Sequence, residues 1–373
     1  MFKFFILILI SLLTFSSAYS QTIKVHIKGF DDGIMTTRQK DYLEAVLFAK
    51  REAVERAGCK IESFTTIENL ILKKSYIESK ANAVLLPGYD IVDNGYLRDG
   101  NYQITLIGEV LIKNTQNNFN IVNKKSVNNT IKNSLDMTFV YINPGSFIMG
   151  STFHKKDKDE IPHTVHISQG FYMQTTEVTQ EQWKVIMGRN PSEFSYCGKN
   201  CPVEKVSWFE VQKFIKKLNK QDKTYNYSLP TEAQWEYSVK AGTKTQFYWG
   251  NNLDCTKANF GNDPITNTTY ECMHNPGKTM HVKKFMPNIW GLYDMHGNVS
   301  EFCQDWYAPY SMKNIVDPLV LKNSHHLKKV ILRGGAFNDK IIHCRSSNRF
   351  KLKPHQKVNN IGFRLIIQNP KRK

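Results

Sequence analysis

The chain has 373 residues, 50 Lys and Arg against 33 Asp and Glu (a net charge of +17) and seven cysteines, enough length for two or three domains. Such a charge suits nucleic acid, anionic glycans or an anionic membrane surface. Lysine pairs such as Lys216-Lys217, Lys283-Lys284 and Lys328-Lys329 are scattered along the chain, which reads as a basic solvated surface.

Lys3 precedes an apolar run from Phe4 to Phe15, and small residues follow at Ala18 and Ser20. This is the pattern of a secretory signal peptide over residues 1–20, cut before Gln21. The run is too short to span about 30 Å of hydrocarbon. Removing it leaves 353 residues and a charge of +16. Because no other stretch approaches about 18 apolar residues, the mature chain is expected to lack a transmembrane segment and to be periplasmic or secreted. Export excludes nucleic acid as partner.

Residues 21–113 predict a small α+β unit. "TIKVHIKGF" alternates as a strand, and a helix from Thr37 to Ala57 puts Tyr42, Val46, Ala49, Ala53 and Ala57 on one face, with Gly58 as its stop. "ESKANAVLL" predicts a second, weaker helix. "GYDIVDNGYL" and "NYQITLIGEVLI" follow as strands joined by a turn containing Asp99-Gly100. Residues 114–135, rich in Asn and Lys without a sustained period, read as a linker.

From residue 136 onward the texture is short strands with close-set aromatics, Gly and Pro. Two helices stand out, and a third, shorter element follows them. "TTEVTQEQWKVIMG" is capped by Thr176 or Thr179 and ended by Gly188. "VSWFEVQKFIKKLN" has Ser207 and Glu210 as a capping box, and "PTEAQWEYSVKAG" runs from Thr231 to Gly242. So irregular a domain needs other means of support.

Two kinds of support are visible in the residues. In an exported chain cysteines are expected to pair. Cys59 stands alone in the first third, whereas Cys197, Cys201, Cys255, Cys272, Cys303 and Cys344 fall later, and six cysteines allow fifteen connectivities. The other support is a metal. In "YDMHGNVSE", Asp294 and Glu301 offer carboxylates and Gly297 and Val299 offer carbonyls, the hard oxygens that calcium takes at about 2.3–2.6 Å. The same pattern is also that of an ordinary turn.

A series of ordered blocks carries a resemblance: "FVYINPGSFIMGS", "GFYMQTTEVTQEQWKVIMG", "CPVEKVSWFEVQKFIKKLN", "LPTEAQWEYSVKAG", "NIWGLYDMHGNVSEFCQDWY", "VILRGGAF", "CRSSNRF" and "NNIGFRLI". From Met137 to Ile367 they resemble the formylglycine-generating enzyme, or sulfatase-modifying factor, family. The resemblance implies an α+β fold of C-type-lectin-like type over residues 136–373, poor in regular structure and stabilised by calcium. It implies a calcium loop at Asp294, Gly297, Val299 and Glu301. A second site is matched only by Asn259 and Phe260, since its downstream carboxylate has no equivalent. It also implies a Cys303–Cys344 bridge, beside which Cys197–Cys201 would close "CGKNC" and Cys255–Cys272 would tie off an irregular stretch. "RQKDYLEAVLFAKREAVERAGCKIES" with "YQITLIGEVLI" resembles the N-terminal domain of FlgT-type exported proteins.

The family's enzyme oxidises a substrate cysteine to formylglycine with oxygen, using a cysteine pair that binds copper(I) shortly after Arg-Gly-Gly, as soft thiolates do. Here "RGGAFNDKIIHCRSSNRF" offers no cysteine before Cys344. The expectation is therefore a non-catalytic module for a peptide, a glycan or another protein of the envelope. Its groove would be floored by Arg333, Gly334, Gly335 and Phe337, with Arg349 and Arg364 nearby. The alternative is a formylglycine-generating oxidase using Cys344 with copper. His154, His163, His166, His325 and His326 lack ligand spacing and are expected to be structural or at the surface.

Overall fold

The computed structural model describes residues 21–31, 38–56, 83–85, 89–98, 100–112, 130–151, 159–262, 272, 275–310, 314–321 and 328–368. Residues 1–20, expected to be a signal peptide, together with Cys59, Gly58, His154, His325, His326 and most of the expected linker, lie outside the described residues.

The N-terminal unit is a helix laid on a four-stranded antiparallel sheet. β4 (Tyr102–Ile112) pairs along one side with β1 (Gln21–Phe30) and along the other with β2 (Ala83–Leu85) and β3 (Asp90–Tyr96). α1 (Arg38–Arg56) buries Tyr42, Ala45, Val46, Ala49 and Ala53 against Val25, Ile27, Ile104 and Leu106. The alternation of period two on the strands and the helical spacing on α1 both meet at this face. Gly29 makes the close approach possible, because a Cβ there would collide with the Ala45 carbonyl oxygen. "ESKANAVLL" differs from expectation: Ala83–Leu85 is a strand, held by ladder pairing to Val110, Leu111 and Ile112, so tertiary pairing overrides a weak helical pattern.

This unit packs against the rest of the molecule. Ala241 and Ile289 belong to its apolar cluster. Tyr89 Oη donates to the Ala241 carbonyl at 3.2 Å, the Lys244 amide donates to Asp90 at 3.2 Å, and Lys257 pairs with Asp93.

Among the described residues the C-terminal domain has three small sheets and three short α-helices. The first sheet runs β10 (Tyr227–Ser228), β16 (Ile366–Ile367), β9 (Phe171–Gln174), β6 (Thr138–Ile142), β5 (Thr130–Lys132). β5 falls inside the stretch expected to be linker, where it pairs with β6. The second sheet runs β14 (Phe350–Leu352), β13 (Val330–Arg333), β11 (Ser300–Trp306), β15 (Ile361–Gly362). The third runs β12 (Ile315–Val316), β8 (His163–Ile167), β7 (Gly145–Met149). On β8 His163 is buried and His166 exposed, as opposite faces require.

α2 (Gln180–Met187), α3 (Trp208–Gln221) and α4 (Glu232–Lys240) each begin on a capping box, at Thr179 with Gln182, Ser207 with Glu210, and Thr231 with Gln234. Each box satisfies two donors that a helix start leaves open. α2 ends on Gly188 with φ of 83°. α2 and α3 meet through Trp183 and Phe214, stacked at 5.2 Å with Phe363 edge-on to both. Among the described residues no helix is long and apolar enough to cross a membrane.

Candidate functional site

Three places bear on function: the stretch after Arg333, the Asp294 loop, and a cavity beside α4.

β13 delivers Arg333 to the protein interior. Its guanidinium pairs with Glu236 of α4, whose other oxygen accepts from Lys240 Nζ at 2.7 Å and from the Gly150 amide at 2.7 Å. Burial raises the Glu236 pKa, but Lys240 and Arg333 outweigh it and hold the carboxyl below its ordinary range. Arg349 clasps Glu232 at 2.6 and 2.8 Å and lies 3.8 Å over the Tyr310 ring. Arg364 clasps Glu301 through two 2.7 Å bonds, and Arg345 clasps Glu160 at 2.8 Å. These are fork-to-fork ion pairs that lock loops together.

The expected groove floor is therefore corrected. Arg333 and Arg364 are 0% exposed, Phe337 is buried, and the Arg349 side chain is buried too. Arginines read from sequence as a ligand surface find glutamates inside instead. Gly334 and Gly335 have φ of 96° and 69°, and a Cβ on Gly335 would stand 2.5 Å from Cys344 Sγ. The second glycine therefore serves close passage of the chain over that thiol.

The cysteines divide. Bridges join Cys197 to Cys201 and Cys255 to Cys272. Cys303 and Cys344 are not joined to each other, which corrects the expected third bridge. Cys303, on β11, lies in the apolar cluster of Trp235, Tyr237 and Leu292, whereas Cys344 lies in that of Phe247, Tyr248, Trp249 and Cys272. Burial pushes the Cys303 thiol well above its ordinary pKa. That makes it a poor thiolate.

His296 went unnoticed in the sequence. It is buried among Phe247, Tyr248 and Trp249, its Nδ1–H donates to the Cys344 carbonyl at 2.6 Å, and its Nε2 accepts from the Tyr248 amide at 3.3 Å. Burial lowers its pKa to about 4, so the ring is neutral at pH 7.

In the Asp294 loop, Asp294, Gly297 and Asn298 all have positive φ, of 54°, 78° and 59°. The Gly297 amide donates to Gly334 at 2.9 Å, and that of Asn298 to Asn259 at 2.8 Å. Asp294 is buried, with one oxygen accepting from the Lys283 amide at 2.8 Å. Glu177, another residue missed in the sequence, accepts from Asn298 Nδ2 at 2.9 Å, while its Oε2 is buried without a hydrogen bond. Burial raises the pKa of both Glu177 and Asp294, and repulsion adds to it, from Asp294 and Glu301 at Glu177 and from Glu301 at Asp294. Such carboxylates gain from a nearby cation. Glu301 differs: both of its oxygens are taken, by Arg364 and by Trp235 Nε1 at 2.8 Å. At the second expected site Asn259 Oδ1 is buried without a partner, whereas the Phe260 carbonyl accepts from Asn275 at 2.8 Å.

A cavity of about 380 Å³ opens between β7, β8 and the end of α4, lined by Phe147, Ile148 and Tyr237 and by the hydroxyl residues Ser146, Thr164 and Ser347.

Comparison with known proteins places the domain. Residues 124–369 match the model of the sulfatase-modifying factor enzyme 1-like domain. The chain is 31% identical over 178 residues to the chaperone protein LppX of Paenibacillus barcinonensis, covering 37% of this chain and 63% of that one. It is 30% identical over 198 residues to the formylglycine-generating enzyme of Mus musculus, covering 49% and 50% respectively. It thus spans less than two thirds of the curated relatives it matches. Treponema denticola variable protein 1 superposes with a TM-score of 0.55 at 26% identity, covering 64% of this chain and 98% of that one. The family match does not reach the N-terminal unit.

Proposed function

The chain belongs to the sulfatase-modifying factor family, and on that premise we propose that it is an exported, non-catalytic member that binds a peptide or glycan of the cell envelope. One observation carries the reading. The family's oxidation needs two neighbouring soft sulfur donors, and the stretch after Arg333-Gly334-Gly335 supplies one, Cys344, with Cys303 in a different apolar cluster. The name of the chaperone relative supports a role in handling another protein. The cavity beside α4 supports the same view, being concave, partly aromatic and edged with hydroxyls.

The test is direct. Incubated with copper(I), oxygen and a cysteine-containing peptide, the protein is expected to leave the cysteine intact by mass spectrometry, and an aldehyde product overturns the reading in favour of the oxidase. Peptide and glycan arrays then identify the ligand, and Thr164→Trp is expected to abolish its capture by filling the cavity.

Calcium belongs to this proposal as a stabiliser. Asp294, with the carbonyls of Gly297 and Val299, would hold it and Glu177 would be relieved, while Glu301 anchors the loop through Arg364. Calcium is expected to raise the melting temperature of the wild type and not of Asp294→Asn. Equal shifts would end this part of the reading.

A further inference from the structure

A different cluster lies at the "CGKNC" turn. The Cys197–Cys201 bridge closes a loop of three residues, Gly198, Lys199 and Asn200. The loop is pinned from one side by the start of α2, where the Gln180 amide donates to the Cys201 carbonyl at 2.9 Å and that of Glu181 to Lys199 at 3.2 Å. It is pinned from the other side by residues 279–282. The Val282 amide donates to the Asn200 carbonyl at 3.0 Å, and His281 Nε2 donates to the Cys197 carbonyl at 2.9 Å. Three of these bonds run between backbone groups and the fourth from the His281 ring, and none uses a cysteine sulfur.

The result is a set of three donors. The two sulfurs and an imidazole nitrogen of His281 lie within 4.8 Å of one another, with Cys201 buried and His281 exposed. A zinc ion about 2.3 Å from sulfur and about 2.0 Å from nitrogen, with tetrahedral angles, sets its donors about 3.5–3.8 Å apart. In the bridged form the two sulfurs are bonded to each other with the imidazole nitrogen within 4.8 Å of them, so reduction has only to let the sulfurs part for the set to reach that spacing.

We propose that Cys197, Cys201 and His281 form a redox-gated metal site, closed as the disulfide and, once reduced, a Cys2His set for one zinc(II) ion. A dithiol reductant opens it: the reductant's two sulfurs join as a disulfide, and its two electrons and two protons pass to Cys197 and Cys201. Zinc then displaces both thiol protons to solvent, binds the two thiolates and the unprotonated ring nitrogen of His281, which is Nδ1 in the tautomer that donates from Nε2, and keeps water in its fourth position. Occupancy would tie the α2 start to residues 279–282. That segment also touches the Asp294 loop, through the Met280 amide and Asn298 Oδ1 at 2.9 Å.

The experiment uses the full chain, oxidised or reduced by a dithiol and desalted without oxygen. Zinc uptake is read by native mass spectrometry and by competition with a chromophoric chelator, and cobalt(II) replaces zinc to reveal sulfur-to-metal charge transfer. The reduced wild type is expected to bind one zinc and the oxidised form none. Cys197→Ser and His281→Ala are each expected to weaken binding at least tenfold, and the cysteine variant to diminish the cobalt band. His281 is at the surface, so its variant keeps the fold, which the melting temperature checks. Absence of zinc uptake on reduction, or unchanged affinity in either variant, overturns the site.

Discussion

The two halves of the molecule reach stability by different routes. In the N-terminal unit one helix covers one sheet, and its core is Tyr42, Val46, Ala49 and Ala53 against Ile27, Ile104 and Leu106. In the C-terminal domain most sheet strands have two to five residues, and buried arginine–glutamate pairs with disulfides join what the ladders do not. Regular structure distributes the holding force over many small apolar contacts. Irregular structure concentrates it in a few polar clasps, each costly to break.

The largest effect should therefore come from a clasp. Glu236→Ala leaves the buried charges of Arg333 and Lys240 without their shared carboxylate, with carbonyls and the more distant Glu232 left against them. Removing one partner of a buried pair costs about 3–5 kcal/mol. Chemical denaturation is expected to show the loss in the transition of the C-terminal domain. A loss below about 1 kcal/mol would mean that apolar packing carries this domain as it does the other.

The matching break in the N-terminal unit is Gly29→Val. The new side chain meets the Ala45 carbonyl and the Ala49 methyl, so α1 must lift from β1, at a cost of about 1–3 kcal/mol for overpacking. Circular dichroism of the variant is expected to show the helix of this unit melting first. If both units melt together, their contact through Tyr89, Ala241 and Ile289 couples them into one cooperative body.

This contrast also explains what could be read from sequence. α1, β1, β3 and β4 follow from periodicity alone, and the three later helices follow from their caps, because both signals are local. The fate of the arginines was not legible. Arg333, Arg349 and Arg364 look like a cationic surface until Glu236, Glu232 and Glu301, from 97, 117 and 63 positions away, are brought against them. Cys303 and Cys344 fail for a related reason. Even count and family pattern propose their bridge, but β11 carries Cys303 into one cluster while the turn after Gly335 carries Cys344 into another. His296 and Glu177 were invisible because burial, and not residue type, makes them matter.

The third expected effect, the smallest of the three in acid, separates buried charge that is clasped from buried charge that is not. Glu204 accepts from the Phe194 amide at 2.9 Å, but its other oxygen is buried without a hydrogen bond, and burial raises its pKa to about 7. A carboxyl with a raised folded pKa holds its proton in the folded state while the unfolded state has lost it. Its contribution is thus full below the unfolded value of about 4.3 and is lost as pH rises toward 7. His296 runs the other way: with a folded pKa near 4, it costs stability as pH falls below about 6.5. Glu204→Gln mimics the protonated form, so it is expected to leave stability at pH 4 nearly unchanged and to raise it at pH 8 by about 3 kcal/mol, the rise in pKa of between two and three units at about 1.4 kcal/mol each. Denaturation at the two pH values measures this. Equal changes at both would show that Glu204 ionises normally in the folded chain, and that an unclasped carboxylate costs this domain little.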